Sequence, residues 1–118
     1  MHEASIAVEL LKVVEAQARQ AGMSRVSGMK LRIGAFRMVV PELLSAAFEV
    51  VGQGTLAEGA EMRMETVPLV ARCERCDEDV AVEDYVFFCP RCGAPLLEIL
   101  SGKELDLVEM WGEGGESP

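Results

Sequence analysis

The chain has 118 residues, a formal net charge of −9, and hydrophobic side chains at half its positions. That length and apolar content fit one ordinary domain, or one domain plus a small insert, with a real core. An acidic surface repels phosphate backbones and anionic lipid, which argues against nucleic acid and membrane as partners, but not against a divalent cation or a basic protein.

The first residues, Met1-His2-Glu3-Ala4-Ser5, carry an acid instead of a basic run. Glu9, Lys12 and Glu15 interrupt the apolar residues that follow, so no signal peptide is expected and the location is expected to be cytoplasmic. No apolar run reaches the roughly 18 residues of a membrane helix. Residues 4–20 predict an amphipathic helix with Ile6, Leu10, Val13 and Val14 on its buried face, stopped by Gly22. Residues 29–33 alternate between apolar and basic, which predicts a half-buried strand ended by Gly34.

A second helix is expected to start near Pro41, with Leu43, Leu44, Ala47, Phe48 and Val51 as its buried stripe and Gly52 as its stop. Three glycines in 52–59 mark a loop. Residues 61–67 alternate again, with Met62, Met64 and Thr66 on one face of a second strand. Pro68 leads into a cysteine segment that Gly93 and Pro95 close. Residues 105–110 return as an apolar strand, with Val108 breaking the alternation. Methionine is expected to fill gaps in a core with only 5% aromatic residues to draw on.

The fold expected is α+β: two helices packed on a small, mainly three-stranded sheet, carrying an inserted four-cysteine module like a zinc ribbon. Residues 1–69 and 97–111 form the α+β domain, 70–96 the insert and 112–118 a flexible tail. The ends of the insert must lie close together if the flanking strands share a sheet.

The cysteines fall as Cys73-Glu74-Arg75-Cys76, twelve residues, then Cys89-Pro90-Arg91-Cys92. Without an export signal they are expected to be reduced, and paired CxxC units read as metal ligands instead of disulfides. Two intervening residues let both thiolates of a knuckle turn toward one ion. Two knuckles give four sulfurs, each about 2.3 Å from a tetrahedral zinc. Tyr85, Val86, Phe87 and Phe88 suit a strand and a tiny core beside the metal. Four sulfurs leave no open position for water, so the zinc is structural. Iron in the same sulfurs, as in a rubredoxin-like electron carrier, stays open as the alternative. Arg72, Arg75 and Arg91 either offset thiolate charge or are solvated surface.

His2 is the only histidine. A lone histidine near a terminus is ordinarily a solvated end. Position two nevertheless allows the Met1 amine, the His2 amide nitrogen and the His2 imidazole to close adjacent chelate rings, with the Glu3 amide nitrogen as a fourth in-plane donor. Such a nitrogen set favours square-planar Ni(II) or Cu(II) over zinc.

Both constellations together resemble the HypA/HybF family of hydrogenase maturation factors, the nickel-incorporation metallochaperones. The resemblance rests on Met1-His2-Glu3, on Leu31-Arg32-Ile33-Gly34-Ala35-Phe36, on Ala57-Glu58-Gly59-Ala60, on both knuckles with Gly93, and on Ser101-Gly102-Lys103-Glu104-Leu105-Asp106-Leu107. It spans residues 1 to about 111. It implies nickel bound at the N-terminus through His2, with Met1 and Glu3 giving backbone nitrogens. It implies structural zinc on Cys73, Cys76, Cys89 and Cys92. The implied partners are the GTPase HypB and the large subunit of [NiFe]-hydrogenase, with urease also served in some bacteria, and the chain is expected to be a monomer or weak dimer. Histidines that some members carry beside the zinc cysteines are absent here, which puts any pH coupling through them in doubt.

No nucleophile–base pair is evident, so a carrier is expected and not an enzyme. The rival is a zinc-ribbon interaction module without nickel transfer. A ribbon that grips DNA would show a basic stripe, whereas Asp77, Glu78, Asp79, Glu83 and Asp84 crowd the loop between the knuckles.

Overall fold

The structure, a computed structural model, describes residues 3–114; the expectations for Met1, His2 and 115–118 lie outside it. Helix α1 spans Glu3–Gln20, strand β1 Met23–Gly34, a 3-10 turn Ala35–Arg37, and helix α2 Pro41–Val51. Strands β2 Glu61–Val67, β3 Val70–Cys73, β4 Glu78–Ala81, β5 Glu98–Ser101 and β6 Leu105–Gly114 follow. They form two three-stranded sheets, of order β2-β1-β6 and β4-β3-β5. This is the expected α+β class. The chain divides into two compact units. One holds the residues through Arg32, Val39–Glu65 and those from Asp106 on; the other holds Ile33–Met38 and Thr66–Leu105. No helix among the described residues is long and apolar enough to cross a membrane.

The first unit is built on aliphatic burial. Ile6, Leu10, Val14 and Ala18 recur every four residues along α1 and are buried, joined by Ala7. Val26, Met29 and Leu31 of β1, and Leu44 and Phe48 of α2, which packs against α1, are buried as well. Full burial of each large aliphatic side chain is worth about 1.5–3 kcal/mol. Val13, expected inside, is 38% exposed, and Ala7 and Ala18 take its share of the face. Leu43, also expected inside, is 55% exposed. It lies one helical step of about 100° from Leu44, on a different side of α2. Pro41 opens α2 at a position where its missing N–H costs nothing, and the Val40 N–H before it donates to Glu3 Oε2 at 3.2 Å.

Strand β1 is twelve residues long, against the five that alternation predicts. Its buried phase flips between Val26 and Met29, both fully buried, which hides the first half of the strand from a period-two reading. Gly28 occupies the flip. A Cβ there would run into the Trp111 indole of β6, which lies across the glycine. The Arg63 guanidinium of β2 sits 4.7 Å from the centroid of the Trp111 ring. Strand β6 runs to Gly114, taking in residues 112–114 of the segment expected as tail. Gly112 lies against the backbone of Arg25 and Ser27, and the Ser24 hydroxyl donates to the Gly114 carbonyl at 3.0 Å.

In the second unit β3 is central. It pairs antiparallel with β4 from Val70↔Ala81 to Cys73↔Glu78, and with β5 from Arg72↔Glu98 to Val70↔Ser101. Val70, at the start of the expected insert, thus pairs with Ser101, five residues beyond its expected end at Leu96. Two of the motif stretches meet here. Gly34 N–H donates to the Glu104 carbonyl and Phe36 N–H to the Gly102 carbonyl, both at 2.7 Å, and Arg37 Nε donates to the Lys103 carbonyl at 2.8 Å. The segment expected as a strand at 85–88 is not one. Asp84 and Tyr85 take left-handed φ values of 54° and 57°, which break an extended run, and Phe88 makes only an isolated bridge with Pro95.

Candidate metal centre

Each cysteine pair sits on a tight turn. Strand β3 ends at Cys73, and the Cys76 N–H points back at Cys73 Sγ at 3.4 Å. In the second pair, Gly93 N–H donates to the Cys89 carbonyl and Cys89 N–H to the Ala94 carbonyl, both at 2.8 Å. The residue after each pair is left-handed: Gly93 at φ 77° and, less comfortably, Asp77 at φ 57°.

The four sulfurs lie within 4.8 Å of one another. The nearest pairs run across the knuckles: Cys73 Sγ to Cys92 Sγ at 3.7 Å and Cys76 Sγ to Cys89 Sγ at 3.9 Å. Zinc–sulfur bonds of about 2.3 Å require tetrahedron edges of about 3.8 Å. The donor set and its spacing therefore fit zinc. Cys73 and Cys89 are buried, at 0% and 3% exposure, while Cys76 and Cys92 are half-buried. Ala71 and Leu96 complete this core, with Val80, Val82, Phe87 and Ala94 packed against it.

Without a cation the cluster is electrostatically divided. The Cys76 thiol is pushed up to about 12, first by its hydrogen bond with Cys92, then by burial and by Cys89 and Cys73. Cys89 is drawn down to about 7 by the backbone N–H groups of Cys92 and Arg91. One sulfur gives up its proton readily and a neighbour then holds its own, because adjacent negative charges disfavour each other. A divalent ion removes that conflict.

The nearby arginines pair with acids. Arg72 binds Asp79 at 3.0 Å and also Asp77, and Arg91 binds Glu78. The Asp79 carboxylate is the chief cause that raises the Arg72 pKa. These exposed pairs pin the acidic loop between Cys76 and β4; as exposed pairs they add little stability.

Of the expected nickel ligands the structure describes Glu3 alone, which opens α1 and whose carboxylate accepts the Val40 N–H. Sequence reading missed two properties that matter: the left-handed backbone of Asp77, which mirrors Gly93, and the exposure of Leu43. The first was open to detection, because Asp77 stands one place after its knuckle as Gly93 does.

A family model described as hydrogenase/urease nickel incorporation, metallochaperone, hypA matches residues 1–111. The hydrogenase maturation factor HypA of Picosynechococcus sp. is 43% identical over 110 residues, covering 93% of this chain and 97% of that protein. The factor of the same name from Moorella thermoacetica is 36% identical over 113 residues, covering 96% of this chain and 100% of the other. The solution structure of the Ni metallochaperone HypA from Helicobacter pylori superposes with a TM-score of 0.71 at 21% identity, covering 98% of this chain and 100% of that one. At that identity the likeness speaks for the fold alone.

Proposed function

Because this chain belongs to the HypA family of nickel-incorporation metallochaperones, we propose that it binds Ni(II) at its own N-terminus and hands it to the large subunit of [NiFe]-hydrogenase. Nickel incorporation for hydrogenase maturation is the role of the family as a whole. The finer reading assigns four in-plane nitrogens: the Met1 amine, the His2 amide, the His2 imidazole and the Glu3 amide. The GTPase HypB acts as the second maturation partner, urease is a further possible acceptor, and the work is done in the cytoplasm. Cys73, Cys76, Cys89 and Cys92 hold a structural zinc. The chain is a carrier and catalyses nothing.

The observation that supports the nickel assignment is that the family match spans residues 1–111 and so takes in Met1-His2-Glu3. A helix start ordinarily repels a cation. Two metal-deprotonated amides cancel the charge of Ni(II), so the complex this site would form is neutral and escapes that penalty. Release is also built in, because protons compete with the metal for each nitrogen and acceptor thiolates can replace nitrogens one at a time.

The test is equilibrium dialysis with nickel on the parent, on His2→Ala and on a chain extended before Met1. Both altered chains should lose the site and the absorption of planar nickel. Full stoichiometry and affinity in His2→Ala would refute the assignment.

A further inference from the structure

Helix α2 carries two apolar stripes, and the described residues cover only one. Leu44 and Phe48, one turn apart, are buried in the first unit. Leu43, Ala46 and Val50 fall at helical spacing along the second stripe and are exposed, Leu43 at 55% and Val50 at 66%. Val40, which caps the helix, is 45% exposed at its head. Glu42 and Glu49, seven residues apart, run alongside, and neither has an ion pair or hydrogen bond among the described residues. Single exposed hydrophobics are ordinary. A row of them at three- and four-residue steps, edged by unpaired charge, is the pattern of a helix that lies against a partner.

The head of this stripe is tied to the start of the chain. Glu3 Oε2 accepts the Val40 N–H at 3.2 Å, so within the first unit the residue that opens α1 and the residue that opens the stripe are direct neighbours. A protein seated on α2 would have the nickel-bearing end delivered beside it. Seating of that kind replaces a bimolecular ligand exchange with a local one at high effective concentration.

We propose that the Val40–Leu43–Ala46–Val50 stripe is the surface on which the nickel acceptor docks, through an apolar face edged with lysine or arginine. This docking role rests on the carrier function proposed above. The partner's basic edge follows from Glu42 and Glu49 and from a net charge of −9. The same charges argue against a second copy of this chain, which would bring its own two glutamates to the contact. They also argue against an anionic lipid surface.

The experiment uses the full chain loaded with zinc and nickel, with the hydrogenase large subunit as the probe. Association is measured by calorimetry for the parent, Leu43→Ser/Val50→Ser, Glu42→Lys/Glu49→Lys and a control, Val108→Ser, whose side chain is 51% exposed on β6. Truncating two central apolar contacts should weaken association at least about tenfold, while nickel affinity and melting temperature stay at parent values. Charge reversal should weaken it several-fold and flatten its dependence on salt, independently of whether the serine variant folds well. The control should do neither.

Parent-like association in both double variants overturns the docking surface and leaves the carrier function standing. A parent that binds nickel at its N-terminus but never engages the large subunit refutes delivery to that acceptor and the docking surface with it. A parent whose mass doubles with concentration, and whose doubling Leu43→Ser/Val50→Ser abolishes, assigns the stripe to a second copy and overturns the proposal. Binding to vesicles of phosphatidylglycerol that the same variant abolishes overturns it in favour of lipid.

Discussion

The two units of this chain reach stability by different physics. The first buries Leu10, Val14, Val26, Met29, Leu31, Leu44 and Phe48, a conventional oil core shared by two helices and a sheet. The second buries Ile33, Val67, Leu69, Ala71 and Leu96 together with Cys73 and Cys89, two of the four cysteines of the proposed zinc site. The contrast teaches where each unit should be vulnerable: the first to loss of volume, the second to loss of the zinc proposed for its cysteines.

The sharpest way to break the comparison is to remove the metal. Chelation, or Cys73→Ser, is expected to unfold the second unit while the amide signals of the first persist. Structural zinc in small modules contributes apparent binding energies of about 10–16 kcal/mol, so the effect should be all-or-none. Amide NMR of the labelled protein reads both units at once. Collapse of both together would refute their independence. A metal analysis of the same sample, with zinc expected and iron giving a red protein, decides which ion the sulfurs hold.

A change of pH should fail to replace the ion. In the metal-free unit Cys89 is lowered from 9.0 to about 7, so its contribution to folding is complete above pH 9 and fades as pH falls through 7. Cys76 is raised from 9.0 to about 12, so its contribution is complete below pH 9 and fades as pH rises toward 12. The two contributions are present together near pH 9, so the stripped unit should be least unstable there and weaken as pH moves away on either side. Its far- and near-UV dichroism at pH 9 should still fall short of what zinc restores at pH 7.

Leu44→Ala tests the other side. A cavity in an aliphatic core costs about 2–5 kcal/mol, and the loss should appear in denaturant melts of the first unit while zinc affinity stays unchanged. Gly28→Ala should cost less, about 1–3 kcal/mol, as the new methyl displaces Trp111 from its seat. Its fluorescence should shift, and Trp111→Ala should largely cancel the added cost. Asp77→Gly is the smallest change. Relief of a left-handed backbone gains roughly 1 kcal/mol, and the loss of the carboxylate beside Arg72 takes some of it back. A slightly higher melting temperature of the zinc-loaded unit is expected.

Regular, locally encoded features were legible in the sequence. The four-residue steps of α1, the proline that opens α2 and the alternation of β2 are written in neighbouring residues, and the CxxC pairs state their geometry directly. What stayed hidden depends on distant partners. The first half of β1 escaped because its phase flips at Gly28, and only Trp111, eighty-three positions away, explains the flip. Residues 85–88 look like a strand by composition, yet the left-handed Asp84 and Tyr85 at their start deny it. β3 and β5 are four-residue strands, too short to show a period, and each pairs with a partner distant in the chain. Leu43 read as core because hydrophobicity reports preference for burial without saying what does the burying.

The stacked Trp111 has a practical consequence. It is the chain's single tryptophan and belongs to the first unit, whereas the single tyrosine, Tyr85, belongs to the second. Nature has in effect installed one intrinsic chromophore per half. Indole emission and phenol absorbance in the same cuvette will follow the oil-cored half and the sulfur-cored half as separate traces, without any label.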